Sequence, residues 1–129
     1  PKEAYGTTDW RRMLYMMKVR QEREPTFGVF DCPDFNQTAP NRSRSTTPLQ
    51  ALSLLNSPFV LQQAGLLAKR LRHEMGADIR AQLARACQLA LGREPTREEL
   101  SDAKKLVTKH SLEAFCRALF NANEFLFLP

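Results

Sequence analysis

Cysteine is scarce, three in 129 residues, and Cys32, Cys87 and Cys116 stand far apart. No two of them form a CxxC pair, which excludes a zinc ribbon and a thioredoxin-type site. There is no CxxCH either, so no haem is attached to this stretch. Glycine numbers only five, and no Gly-rich phosphate-cradling loop can be drawn from them. The two histidines, His73 and His110, stand without a GxSxG elbow or any other nucleophile motif. No apolar run approaches the ~20 residues that a bilayer span needs. The opening PKEAYGTTDW lacks the apolar core of a signal peptide. It also lacks an initiator Met, so the chain is expected to be the C-terminal part of a longer polypeptide. No hairpin turn signal and no internal repeat of 20–50 residues occurs.

What is present is helical. Hydrophobic content of 43% and charged content of 26% suit a globular domain, and the length suits one domain over 1–129. A first helix is expected from about Thr8 to Arg23, with Trp10, Met13, Leu14 and Met17 on one face. Pro25 ends it. Thr47-Pro48 is an N-cap followed by proline at the first helical position, and starts a short helix carrying Leu49, Leu52 and Leu55 on one side. Ser57-Pro58 repeats that signal and starts a helix to about Glu74, with Val60, Ala64, Leu67 and Leu71 as its stripe. Gly65 is expected to allow a close helix contact, and Gly76 to close the helix. Asp78 caps the next helix, which runs to about Leu91 on Ile79, Leu83, Ala86, Cys87 and Ala90 and ends at Gly92. In GREPTREEL, Pro95 blocks continuation, and Thr96 with Glu99 forms a capping box for a helix to about Lys109. Ser111 caps the last helix, whose face is Leu112, Phe115, Cys116 and Leu119. The tail NEFLFLP is expected to dock on the core through Phe125 and Phe127. The fold class is therefore all-α, a single domain of about six helices with one long ordered polar loop over 31–47.

That loop is the least ordinary stretch. It carries Asp31 and Asp34, Arg42 and Arg44, and the hydroxyls Ser45, Thr46 and Thr47. Four chemistries deserve weighing there. Asp31 and Asp34 could form a carboxylate pair for acid–base work, but two acids facing two arginines fit better as a latch that holds the loop shut. Asp34, Asn36 and Thr38 have the first three spacings of a calcium loop. Ala39 stands where that loop needs Gly and Ser45 where it needs Glu, so no metal site is expected. Arg42, Arg44 and the hydroxyl run precede a helix N-terminus, an anion-favouring place, and the expected anion is a carboxylate of the protein itself, Asp31 or Asp34. Nucleophilic catalysis has no motif behind it. Cys87 and Cys116, set among alanines and leucines, read as small core hydrophobes.

Net charge is +5, with the basic excess spread over 1–30 and 57–95 rather than gathered on one face. Weak nucleic-acid binding through Lys69, Arg70, Arg72 and Arg80 is an alternative to a merely solvated surface.

Five motifs then appear in order: RRMLYMMKVR, FDCPDFN, RSRSTTPLQALSLLNSPFV, LALGREPTREEL and ALFNANEFLFL. Together they resemble the planctomycete-type C-terminal domain of unknown function, the PSD-one family, over nearly the whole chain. Two departures stand out: Met13 in place of a small residue after the arginine pair, and Pro40-Asn41 where the family often has Gly or Cys. The motif residues here are Arg11, Arg12, Phe30, Asp31, Pro33, Asp34, Arg42, Arg44, Thr47, Pro48, Gln50, Asn56, Gly92, Arg93, Asn123 and Glu124. The resemblance implies a module of a large secreted or envelope-bound bacterial protein. It implies a second domain of unknown function ahead of it, and often a cytochrome c-type module. No activity comes with it. The expected role is structural, packing on other domains of the same polypeptide, with no cofactor of its own. The alternative is that Asp31, Asp34, Arg42, Arg44, Thr47, Gln50 and Asn56 contribute to a polysaccharide-related binding or active site.

Overall fold

The computed structural model describes residues 6, 8, 15, 29–31, 40–41 and 45–127. The helix expected over Thr8–Arg23 lies outside them, apart from Thr8 and Tyr15. Most of the polar loop, with Cys32, Asp34, Arg42 and Arg44, lies outside them too. Six helices and no strand occur among the described residues: α1 (Pro48–Asn56), α2 (Pro58–Met75), α3 (Ile79–Leu91), α4 (Arg97–Lys109), α5 (Leu112–Phe120) and α6 (Asn123–Leu126). The protein is all-α. Two compact units divide the chain, Pro1–Phe59 and Val60–Pro129.

Every start signal of α1 and α3 to α5 is made by the residue type that favours it. The Thr47 hydroxyl accepts from the Gln50 N–H, and the Gln50 side chain accepts from the Thr47 N–H, a reciprocal box ahead of Pro48. Asp78 accepts from the N–H groups of Arg80 and Ala81. Thr96 and Glu99 form the second box, at 3.2 and 2.7 Å, and Ser111 accepts from the Ala114 N–H at 3.1 Å. Each satisfies donors that a helix start would otherwise leave unpaired. Glu98 and Glu99 open α4 and Lys109 closes it, in the sense the helix dipole favours. Gly76 and Gly92 take φ of +61° and +71° after α2 and α3, a left-handed conformation that any Cβ would strain.

In the second unit, Ala64, Ala68 and Leu71 of α2, Leu83, Ala86 and Cys87 of α3, and Leu112, Phe115, Cys116 and Leu119 of α5 form one core. Leu100, Ala103, Leu106 and Val107 of α4 pack against it, half-buried. Leu71 and Leu83 are wholly enclosed, each contributing about 1.5–3 kcal/mol by burial.

Three packing expectations are corrected. Gly65 makes no close helix contact, since a Cβ built there meets nothing within 4 Å. Ile79 begins the α3 stripe but stays exposed, because at the first turn of α3 the stripe has not yet reached the core. Phe127 is 59% exposed and Phe125 39%. Among the described residues the apolar tail meets the core through a ring contact, Phe125 on Phe120 with centroids 5.2 Å apart, not through a buried pair. The segment Asn123–Leu126 is itself a short helix, which its apolar composition does not signal.

Candidate functional site

The described part of the loop closes on itself through four side chains. Asp31 holds a left-handed backbone, φ +53°, which Asp tolerates better than most residues. Its carboxylate accepts from the Ser45 N–H at 2.5 Å and lies 2.8 and 2.9 Å from the Ser45 hydroxyl. That hydroxyl in turn accepts from the Gln50 side-chain amide at 3.1 Å. The same amide donates to the Val29 carbonyl at 2.9 Å, and the Gln50 carbonyl accepts from the Thr47 N–H at 3.0 Å. Gln50 is 9% exposed, and both hydrogens and the oxygen of its amide are used. It ties residues 29, 45 and 47 to the first turn of α1.

Of the residues singled out in the sequence, the structure thus brings together Asp31, Thr47 and Gln50. Asp31 places a carboxylate against Ser45, two residues ahead of the Thr47 cap. Asn56 is the last residue of α1, about 9 Å along the axis from Gln50 at 1.5 Å per residue, and is exposed. Asp34, Arg42 and Arg44 lie outside the described residues. Ser45, of the hydroxyl run ahead of the helix start, completes the cluster with Val29, which the sequence did not single out. Val29 contributes a backbone carbonyl, for which a sequence carries no signal.

Leu49, Leu52 and Leu55 of α1 remain exposed, at 59, 55 and 42%. Residues three apart stay on one side of a helix, so α1 carries an apolar face in the open, opposite in character to the satisfied polar cluster at its start.

The basic end of α2 is not a free cationic patch. Arg70 bonds Glu74 at 2.5 Å, Glu74 also takes Arg85 at 2.8 Å, and Arg72 bonds Glu113 at 2.6 Å. Hydrogen bonds from Arg70 and Arg85 hold the Glu74 carboxyl below its ordinary range, and the Arg72 hydrogen bond holds Glu113 down at about 2. These pairs neutralise two of the four cations that a nucleic-acid face would use.

A second cluster joins two of the motifs. Arg93 faces Glu99 at 2.9 and 2.7 Å and Glu124 at 2.6 and 2.7 Å, and reaches the Glu94 carbonyl at 3.1 Å. One planar guanidinium grips two carboxylates bidentately, the geometry its fork allows. Hydrogen bonds from Arg93, then from the Thr96 backbone, hold Glu99 down at about 2. Glu124 is lowered by Arg93 as well. The pairing of Arg93 with Glu124 spans 31 residues, and nothing local in the sequence announces it.

Cys87 and Cys116 are buried free thiols. Burial pushes the Cys116 thiol up to about 12 and raises that of Cys87, so both behave as small hydrophobes at neutral pH. Among the described residues no three His, Cys, Asp or Glu side chains gather into a metal-holding group. No described helix is long and apolar enough to cross a membrane.

Compared with known families, residues 1–107 match PSD1, described as a protein of unknown function (DUF1553). The matched stretch includes the Asp31–Ser45–Gln50 cluster and ends within α4, ahead of the NANEF segment. Comparison with curated proteins finds no match, and neither does comparison with solved structures.

Proposed function

Because the chain belongs to the PSD1 family of unknown function (DUF1553), we propose that it is a helical docking module, packing on the preceding part of its own polypeptide through the leucine face of α1. The observation that carries this reading is the exposure of Leu49, Leu52 and Leu55 on one side of that helix. Burying apolar area is favourable at about 25 cal/mol per Å², and an apolar helix face is the form in which grooves recognise helices. The Gln50 cluster supports the same reading. It fixes the start of α1 before any partner arrives, which lowers the entropy cost of docking. Asp31, Thr47 and Gln50, three of the seven residues a polysaccharide site would use, are engaged at the start of α1. The setting proposed with this role is a large secreted or envelope-bound protein.

The test mixes this chain with the preceding portion of the parent polypeptide and measures binding by calorimetry. Native chain binds, and Leu52→Glu weakens binding by at least about tenfold, the effect of placing a charge in a desolvated contact, while the circular dichroism spectrum is unchanged. Equal binding by native and Leu52→Glu chains, or no binding by either, rejects the module. Sedimentation of the native chain alone checks the competing occupant, a second copy, and a dimer broken by Leu52→Glu rejects docking on the preceding domain.

A further inference from the structure

We propose that the outward face of α4 docks an acidic protein segment, whose carboxylates meet Lys104, Lys105 and Lys109. The proposal goes beyond the α1 docking role and does not depend on it.

α4 packs Leu100, Ala103, Leu106 and Val107 against the core. Its other side carries Arg97, Ser101, Lys104, Lys105, Thr108 and Lys109, all exposed. Glu98 and Glu99 stand in the first turn, so the second half of the helix is basic. These cations differ from the arginines at the helix junctions. Arg70, Arg72, Arg85 and Arg93 each have a carboxylate within 2.5–2.8 Å. Among the described residues Arg97, Lys104 and Lys109 have none. Lys105 has Asp102 at 2.8 Å, a pair open to solvent at both ends, and such a pair contributes little and is readily exchanged. Lys69 on α2 and Arg80 on α3 are unpaired as well, one to a helix, whereas α4 gathers three.

Ser101, Lys104, Lys105, Thr108 and Lys109 line an open hollow of about 450 Å³. Its walls are lysine stems, aliphatic along their length, and its rim is ammonium. That combination fits acidic side chains, their methylenes against the stems and their carboxylates at the rim. Lys104 and Lys109 are about 7.5 Å apart along the axis at 1.5 Å per residue. Alternate residues of an extended chain are about 7 Å apart, so a Glu-x-Glu segment spans the two. Nucleic acid fits less well, because α4 has no aromatic residue on which a base could stack.

Fluorescence anisotropy of labelled poly-L-glutamate, titrated with the full chain, tests this. At about 50 mM NaCl the native chain binds, and at about 300 mM it binds more weakly, as exposed charge pairs require. Lys104→Gln/Lys109→Gln weakens binding by about fivefold or more, the effect of losing two exposed ion pairs. Lys69→Gln/Arg80→Gln removes the same net charge from other helices and leaves binding within about twofold of native. Both variants keep the native circular dichroism spectrum. The proposal is overturned if the native chain does not bind, or if the two double variants weaken binding equally, which would make net charge the cause. It is also overturned if a labelled DNA duplex binds at least as tightly as poly-L-glutamate.

Discussion

Gln50 uses both amide hydrogens and its carbonyl within the first unit, to Val29, Ser45 and Thr47. A buried amide with every group paired costs little to bury, but deleting it leaves its partners stranded. Gln50→Ala is therefore expected to lower stability by about 1–3 kcal/mol, because buried groups lose partners, against about 1 kcal/mol for Thr47→Ala, which removes only the cap. Urea unfolding followed by circular dichroism separates the two, and equal effects would mean that the contacts to Val29 and Ser45 contribute nothing. Half of this was legible in the sequence. Thr47-Pro48 announces a helix start, whereas the box that Gln50 closes with Thr47 emerged only in the structure. The contact from Gln50 to Val29 spans 21 residues and ends on a backbone carbonyl, and no local rule encodes that. Arg93 repeats the lesson: its bond to Glu99 follows from the turn they share, whereas its bond to Glu124 depends on where α6 comes to rest.

At the scale of elements, two glycines with different surroundings make opposite predictions. Gly65 sits inside α2 with open space around it and ordinary helical φ. Gly65→Ala should stabilise the chain by about 0.5–1 kcal/mol, since alanine loses less backbone freedom in a helix. Gly92 ends α3 at φ +71°, also in open space. Gly92→Ala should destabilise by about 1 kcal/mol through backbone strain alone. Thermal unfolding of the two variants checks this, and a shift of the same sign in both would show that helix-end geometry is not what Gly92 supplies. Helix boundaries were the most readable feature of this chain, because caps and stops are local chemistry. Thr47, Asp78, Thr96 and Ser111 each cap where the sequence reading places them. The stripe residues were readable in outline, but their burial was not. Ile79 and Val60 carry the right spacing and remain partly open, since periodicity names a face and only packing says how much of it is covered.

For the molecule as a whole, the depressed carboxyls set an acid limit. Glu99 and Glu113 are each held at about 2, against an ordinary value of 4.5, with Glu74 and Glu124 lowered in the same direction. A carboxyl whose value falls on folding favours the folded state above its unfolded value, and that contribution disappears as pH drops through the folded one. Stability is thus expected to be level from pH 7 to about 5 and to fall between about 4.5 and 2. All these groups are substantially exposed, so salt should flatten the fall. On the alkaline side the sign reverses. The Cys116 thiol rises from 9 to about 12 on folding, so its contribution is lost as pH climbs from 9 toward 12. Urea midpoints measured across pH at low and high salt check both limbs, and a midpoint indifferent to pH below 4.5 would remove the ion pairs from any role in stability.

The sequence by itself determined where helices begin and end, that the fold is all-α and that Cys87 and Cys116 act as core hydrophobes. Each of these depends on residues within a turn or two of one another, or on apolar spacing that any compact chain must bury. Tertiary structure alone decided that Asp31 closes on Ser45, that Arg93 reaches Glu124, that Arg72 is neutralised by Glu113 and that the α1 leucines stay open. Those contacts join residues many positions apart. They depend on how whole elements come to rest, and that is a property of the packed chain which no short stretch of it contains.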